Sequence, residues 1–263
     1  TVVGDEAGTA ITTGDYNTGI GYGSLDAITT GTFNSALGTF SLSADTLGSK
    51  SVAIGHGTLK AQNFTSATDA HNTAVGYGAG EQVTTGIQNT LIGGLSGDAI
   101  TTGDNNTAVG MASLSSLTTA DDNVAMGVSA LASTTTGASN TGLGRSALAS
   151  NTTGASNTAV GALSLDAVTE GDYNTGVGFT SGSKITTGTR NVALGAFANQ
   201  EGTTGNDNTY VGYAAGAATT TSSNNTAVGK SALAANTTGS ENTAVGQIAM
   251  DANTTGSANV AIG

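Results

Sequence analysis

The chain has 263 residues, with 41 Gly, no Pro, Cys or Trp, 9% charged residues and a formal net charge of −12. This composition leaves little material for a thick layered core, and the low charge with no Pro is not typical of disordered chains. Scattered bases disfavour nucleic acid as a partner, the absence of Cys excludes disulfides, and no apolar run suits a membrane helix. We therefore expect no nucleic acid partner, no membrane insertion by this segment and no cofactor.

One motif, Asn-Thr-Ala-Val-Gly or a close variant, recurs along the chain. Its copies begin at Asn17, Asn34, Ser51, Asn72, Asn89, Asn106, Asn123, Asn140, Asn157, Asn174, Asn191, Asn208, Asn225, Asn242 and Asn259, 17 residues apart except for the 21 from Ser51 to Asn72. A strict period of this kind indicates a repeat architecture. We expect one repeat domain over 1–263, about fifteen and a half units with a four-residue insertion within 60–71, as a fragment of a longer chain.

Each unit follows the consensus N-T-A-[VIL]-G-x-x-[AS]-[LG]-x-x-x-T-T-G-x-x, and its positions are numbered here from one at the Asn. Alternation with a period of two predicts that positions two and four face a narrow interior while the small third position points away. The fifth position is always Gly, which predicts positive φ or no room for a Cβ. Turns at this Gly and at T-T-G leave two strands of about four to six residues per unit.

These features predict an all-β fold, a parallel β-solenoid in which each coil pairs with the next at about 4.8 Å. Ladders of Asn and of Thr are expected along its axis, together with a row of Leu at position nine. The residues that represent the repeat are Asn72, Val75, Gly76, Asn106, Val109, Gly110, Asn157, Val160 and Gly161. Because two or three aliphatic side chains per coil form only a thin core, we also expect a homo-oligomer.

The units resemble the head repeats of YadA-like trimeric autotransporter adhesins. The resemblance rests on Asn72-Thr73-Ala74-Val75-Gly76, Ser51-Val52-Ala53-Ile54-Gly55 and the A-L and T-T-G turns of 147–154, and it covers essentially the whole chain. It implies a left-handed β-roll, a side-by-side homotrimer and an adhesive role outside the cell, at a bacterial surface. Similar repeats also occur in bacteriophage fibres. The 17-residue unit is longer than the head repeat of the type protein, and the stalk and membrane anchor of that family are missing from this sequence.

Several residues are candidates for ligand contact. Aromatic and His side chains occupy positions six and seventeen or lie in the insertion, and they suit contact with a host-surface protein or glycan or packing between chains: Phe64, His71, Tyr22, Tyr77, Tyr173, Phe179 and Tyr213. A metal site at His56, His71 and Asp69 is conceivable, although variable surface positions explain these residues more simply. Calcium at Asp104, Asp121, Asp122, Asp172 and Asp207 is the alternative to a solvated acidic face.

The sequence favours a structural, adhesive rod of an extracellular fibre. A bacteriophage tail or capsid fibre segment on the virion, binding host-surface glycan, is the first alternative. An ice-binding solenoid with a flat Thr face is the second. We expect no enzymatic activity, because no set of acid, base and nucleophile converges in the repeat and no unit departs far enough to form a cleft.

Overall fold

The computed structural model describes residues 1–263 as short β-strands joined by turns. The chain divides into two compact units, Thr1–Thr136 and Gly137–Gly263. Each unit is a parallel β-solenoid built from the 17-residue coil, which confirms the predicted all-β solenoid fold. No helix in this structure has the length and apolarity needed to cross a membrane.

Each coil contributes one short strand, and two further strands flank the insertion. The strands of the first unit are β1 Val2–Val3, β2 Thr18–Ile20, β3 Ser35–Leu37, β4 Gly48–Ser49, β5 Val52–Ile54, β6 Thr68–Asp69, β7 Thr73–Val75, β8 Thr90–Ile92, β9 Thr107–Val109 and β10 Val124–Met126. Those of the second unit are β11 Thr141–Leu143, β12 Thr158–Val160, β13 Thr175–Val177, β14 Val192–Leu194, β15 Thr209–Val211, β16 Thr226–Val228, β17 Thr243–Val245 and β18 Val260–Ile262. The expectation of two strands of four to six residues per coil was therefore wrong. The T-T-G side closes as bends that hydrogen-bond to the next coil, as when the amide of Thr84 donates to the carbonyl of Thr101.

Strands of successive coils pair in parallel and in register, so equivalent residues lie above one another. Thr73 pairs with Thr90 in the first unit. The insertion does not disturb this register, because β5 pairs directly with β7 through Val52 and Thr73. The extra residues are accommodated on another side of the coil, where β4 and β6 form a separate two-stranded sheet.

The interior of each unit is lined by position three, which reverses the predicted inside and outside of the strand. Ala74, Ala108 and Ala159 are fully buried. The residues at positions two and four are instead partly or largely exposed. Large buried side chains share this interior, so most coils place a small residue at position three, with Leu91 and Tyr210 as buried exceptions.

A ladder of buried Asn side chains runs along the interior, as predicted. Asn157 Oδ1 accepts the backbone N–H of Asn174 at 2.8 Å, and Asn157 Nδ2 donates to the carbonyl of Gly171 at 2.7 Å. In the first unit the backbone N–H of Asn106 donates to Asn89 Oδ1 in the same way, at 2.9 Å. Each Asn thereby satisfies buried backbone groups of its own and the next coil.

The invariant Gly at position five has both features predicted for it. Gly110 has a φ of +131°, and a Cβ there would lie 2.6 Å from the carbonyl oxygen of Gly127. Gly76 and Gly161 have φ values of +134° and +129°. The sequence did not indicate that three further positions of the coil, seven, nine and seventeen, take left-handed conformations with ordinary residues, such as Leu148 at φ 53° and Ser156 at φ 58°.

Candidate binding surfaces

The aliphatic residues of position four form an exposed face on each unit, which we call the outer aliphatic face. In the first unit it comprises Val3, Ile20, Leu37, Ile54, Val75, Ile92, Val109 and Met126, and in the second Leu143, Val160, Val177, Leu194, Val211, Val228, Val245 and Ile262. Leu37 is 48% exposed and Ile92 39%, which is high for residues flanked by strands on both sides. The face contains no charged residue. An apolar face of this kind is typical of interaction surfaces.

Exposed aromatic rings form short stacks along the first unit. Tyr16 and Phe33 are parallel, with ring centroids 4.9 Å apart, and His56 and Tyr77 stack in the same manner at 5.3 Å. Within each pair the two rings cover one face of each other, so the outer faces and the edges are left for solvent or a partner. The candidate Tyr77 is accordingly exposed but is already engaged with His56.

A second kind of aromatic contact is edge-to-face and involves position seven, which sequence reasoning missed. Tyr22 meets Phe40 with centroids 5.2 Å apart and an interplanar angle of 83°. In the second unit Phe197 makes such contacts with both Phe179 and Tyr213, at 5.6 Å each. The sequence does show aromatic residues at position seven, directly after the candidate aromatic residues of position six. Because position seven has a positive φ, it turns its side chain toward position six of the neighbouring coil.

The remaining aromatic candidates differ in accessibility. Tyr173 is 63% exposed and is available for contact. Phe64 is only 5% exposed, so the expectation that it contacts a ligand does not fit its position. Its ring lies against the backbone of Gly48, where a Cβ would come within 2.8 Å of it, and its amide donates to Asp45 Oδ1 at 3.4 Å. Phe64 therefore anchors the insertion to the interior.

A buried polar network lies beneath the insertion and replaces apolar packing there. Gln62 Nε2 donates to Asp45 Oδ2 at 2.6 Å and to Ser51 Oγ at 3.0 Å. Gln62 Oε1 accepts from Asn72 Nδ2 at 2.8 Å, and the amide of Gly48 donates to Asp45 Oδ1 at 3.0 Å. Ser51 stands where other coils have Asn, and Gln62 supplies the side-chain amide group that Ser51 lacks. The network fixes the irregular coil in register with its neighbours.

His71 lies at the edge of the insertion and is exposed. The neighbouring Asp69 has a pKa below its usual value, chiefly because Lys50 Nζ donates to its carboxylate at 2.6 Å and to a lesser extent because His71 is nearby. No group of three or more His, Cys, Asp or Glu side chains is arranged to hold a metal ion. The role of Asp69 in this structure is the ion pair with Lys50.

The acidic residues directly after T-T-G accept hydrogen bonds from backbone amides of the neighbouring coil. Asp104 Oδ1 accepts the amide of Ile87 at 2.8 Å, and Asp172 Oδ1 accepts that of Ala155 at 2.7 Å. Asp121 Oδ1 accepts the amide of Asp104 in the same way. At position sixteen these carboxylates accept backbone amides of the preceding coil, and in other coils Ser and Asn side chains at this position accept them in the same way.

Asp122 and Asp207 lie one residue later, at position seventeen, and both are exposed. Asp207 forms a two-point ion pair with Arg190, in which Nε donates to Oδ1 at 2.6 Å and Nη2 to Oδ2 at 2.8 Å. This pairing lowers the pKa of Asp207 and raises the pKa of Arg190.

The two Thr columns of T-T-G differ in how far their hydroxyls are available. At position thirteen the hydroxyl of Thr84 donates to the carbonyl of Thr101, and that of Thr186 to Thr203, at 3.0 and 3.2 Å. At position fourteen the side chains are exposed, as at Thr85 and Thr102. Leu47 and Glu170 interrupt this outer column.

Comparison with known family models, with curated proteins and with solved structures gives no match to this chain. The likeness to adhesin head repeats therefore rests on the repeat motifs alone.

Proposed function

We propose that this chain is a structural, adhesive segment of an extracellular fibre, in which three copies associate side by side through their outer aliphatic faces. The observation that carries this proposal is the exposure of position four in coil after coil, with aliphatic residues and no charge. Each coil buries few aliphatic side chains of its own, and association would remove a repeated row of apolar groups from water. The number three comes from the resemblance to YadA-like heads.

The binding role follows from the arrangement of the aromatic residues. Tyr22, Phe179 and Tyr213 are exposed near position six, beside the strand that carries the outer aliphatic face. Three copies in one fibre would present each weak contact three times, which raises the overall affinity for a surface without any new contact. The role is non-catalytic, and a bacterial cell surface and a virion are both compatible with it.

Solution mass tests the assembly. Light scattering after gel filtration should give about three times the chain mass of 25.2 kDa. Replacing Ile54 and Ile92 with Glu places charges in the outer aliphatic face and should yield a monomer. The matched control replaces the exposed Thr85 and Thr102 with Glu, which adds the same charge elsewhere and should leave the mass unchanged. A monomer from the unaltered chain would overturn the proposed assembly.

Attachment to host cells or immobilised glycans tests the adhesive role. The trimer should bind at least about a hundredfold more tightly than the monomeric variant, the lower end of the usual gain from multivalency. Equal affinity of the trimer and the monomeric variant would contradict the proposed multivalent binding.

Ice binding is a second candidate, favoured by the exposed Thr column at position fourteen. The hydroxyls at position thirteen donate to carbonyls of the next coil, whereas those at position fourteen do not. Thermal hysteresis that is lost on replacing Thr102 with Tyr would support this candidate over adhesion.

A further inference from the structure

A pocket of about 480 Å³ lies on the wall formed by positions ten and eleven in the first unit. Its eight lining residues are the polar or charged Asp26, Ser43, Lys60, Glu81 and Gln82, the aromatic Phe40, and the small Ala44 and Ala61. The volume falls in the range of about 300–1,000 Å³ that is typical of small-molecule sites. None of the ligand contacts expected from the sequence is among these residues.

The pocket exists because side-chain size varies along the column at position ten, beside small residues at position eleven. Position ten holds Asp26, Ser43, Lys60 and Glu81 in four successive coils. Ser43 is short, and Ala44 beside it at position eleven is shorter still. The longer side chains of Asp26 and Lys60 lie in the coils on either side of Ser43 and leave a recess over it, while position eleven holds Ala in the same three coils.

Phe40 is held in place before any ligand arrives. Its ring meets Tyr22 edge-to-face at 5.2 Å. It also lies over Gly23, where a Cβ would come within 2.8 Å of Phe40 Cδ1. The carboxylate of Glu6 lies near the hydroxyl of Tyr22 and raises the pKa of Tyr22. A ring fixed on two sides loses little conformational entropy on binding.

The charges of the pocket limit the class of ligand. Lys60 Nζ lies 3.7 Å from Glu81 Oε1, so its charge is partly neutralised within the pocket. Asp26 adds a second carboxylate, which burial makes harder to ionise and whose pKa is therefore raised. Two acids and one base in a chain of net charge −12 disfavour an anionic ligand. Carboxylates, an amide and a hydroxyl are suited to a ligand rich in hydroxyl donors, and an aromatic ring is suited to the apolar face of a sugar ring.

We propose that this pocket binds a neutral pyranose unit of a surface glycan, with its apolar face on Phe40 and its hydroxyls on Glu81, Gln82 and Ser43. The proposal rests on the proposed adhesive function and names one binding site and its ligand class. It does not depend on the number of chains that associate, since all eight lining residues belong to one chain.

N-acetylneuraminic acid and galactose 6-sulfate serve as anionic comparisons to a panel of methyl glycosides of glucose, galactose, mannose and N-acetylglucosamine, and binding is measured by saturation-transfer NMR and titration. At least one should bind the unaltered chain. Phe40→Ala should raise its Kd about tenfold or more, because an aromatic anchor is lost. The matched control is Phe197→Ala, which removes the aromatic residue of the same repeat position from the second unit and should leave the Kd unchanged.

Two further variants keep the test decisive if Phe40→Ala fails to fold. Gln82 is exposed, so Gln82→Ala should remain folded and should still weaken binding. Gly23→Ala should weaken binding by displacing the ring without removing it. No binding by any panel member, equal loss in the Phe40 and Phe197 variants, or preference for a sialic acid or sulfated sugar would overturn the proposal. None of these results changes the solution mass, so failure of this site and failure of the proposed assembly are separate outcomes.

Discussion

Tyr210 occupies the space that a side chain on Gly216 would need in the core of the second unit. A Cβ on Gly216 would lie 2.5 Å from carbons of the Tyr210 ring. Tyr210 is fully buried, its hydroxyl donates to Thr219 Oγ1 at 3.1 Å, and burial raises its pKa to about 12. In the next coil the same two positions hold Ala227 and Leu233, both buried. One coil thus places the large residue at position three and the small one at position nine, and the next coil does the reverse.

This exchange predicts strong coupling between the two positions. Tyr210→Ala should lower the free energy of unfolding by about 3–5 kcal/mol through the cavity that it leaves. Gly216→Leu alone should lower it by about 1–3 kcal/mol or more through overpacking. The double variant recreates the Ala–Leu pair, and the φ of +59° at Gly216 is close to the 54° that Leu233 adopts. It should therefore be more stable than either single variant in thermal unfolding followed by circular dichroism. Simple addition of the two losses would contradict the exchange.

The glycines of the coil should differ sharply in their tolerance of a methyl group. Gly110→Ala combines a φ of +131° with a Cβ 2.6 Å from the Gly127 carbonyl oxygen, so it should lower the melting temperature markedly. Gly57→Ala is the matched control, because its φ of +65° is a conformation that other coils give to Phe or Ser and nothing lies within 4 Å of a Cβ there. Equal melting temperatures for the two variants would show that position five is not constrained as described.

The Asn ladder should be essential to stability. Asn157→Ser removes the acceptor of the Asn174 amide and the donor to the Gly171 carbonyl, both in the interior. Each buried group left without a partner should cost about 1–3 kcal/mol. The control is Asn224→Ser, the same change at an exposed position that other coils fill with Ser139 and Ser156. Denaturant unfolding of the two variants compares the costs, and equal midpoints would contradict a structural role for the ladder.

Stability should depend on pH through Asp166. Burial raises the pKa of its carboxyl above the usual 3.8, so the folded chain binds this proton more readily than the unfolded chain. The resulting stabilisation is complete below the unfolded pKa and is lost as the pH rises through the folded pKa. Asp166→Asn should therefore raise the melting temperature at about pH 7 and have little effect at about pH 3.

Asp207 provides the opposite control for this pH dependence. Its pKa is lowered by the ion pair with Arg190, so its contribution is present above the unfolded pKa and is lost as the pH falls. Asp207→Asn should lower the melting temperature slightly at neutral pH and have no effect in acid. The same direction of change in both variants at neutral pH would contradict these assignments.

Much of the fold follows from the repeat itself. A period of 17 residues places Asn above Asn and Gly above Gly, and parallel pairing in register follows because each equivalent residue then meets its copy. The structural roles of Asn106, Gly110 and Asn157 were predictable for this reason. The buried network of Asp45 and Gln62 was not, because it forms only where the insertion breaks the period and brings together residues from three different coils.

The sequence by itself determined the solenoid, the coil length, the ladders and the need for Gly at position five, since these depend only on what recurs. The tertiary structure decided which side of each strand faces inward. An alternating pattern is the same from either side, and only the full burial of Ala108 beside a partly exposed Val109 shows which side of the strand faces inward. It also decided the positive φ at Phe40, which turns that ring toward Tyr22 and one wall of the pocket. Backbone strain of this kind depends on how the coil closes, and no local pattern of residue types records it.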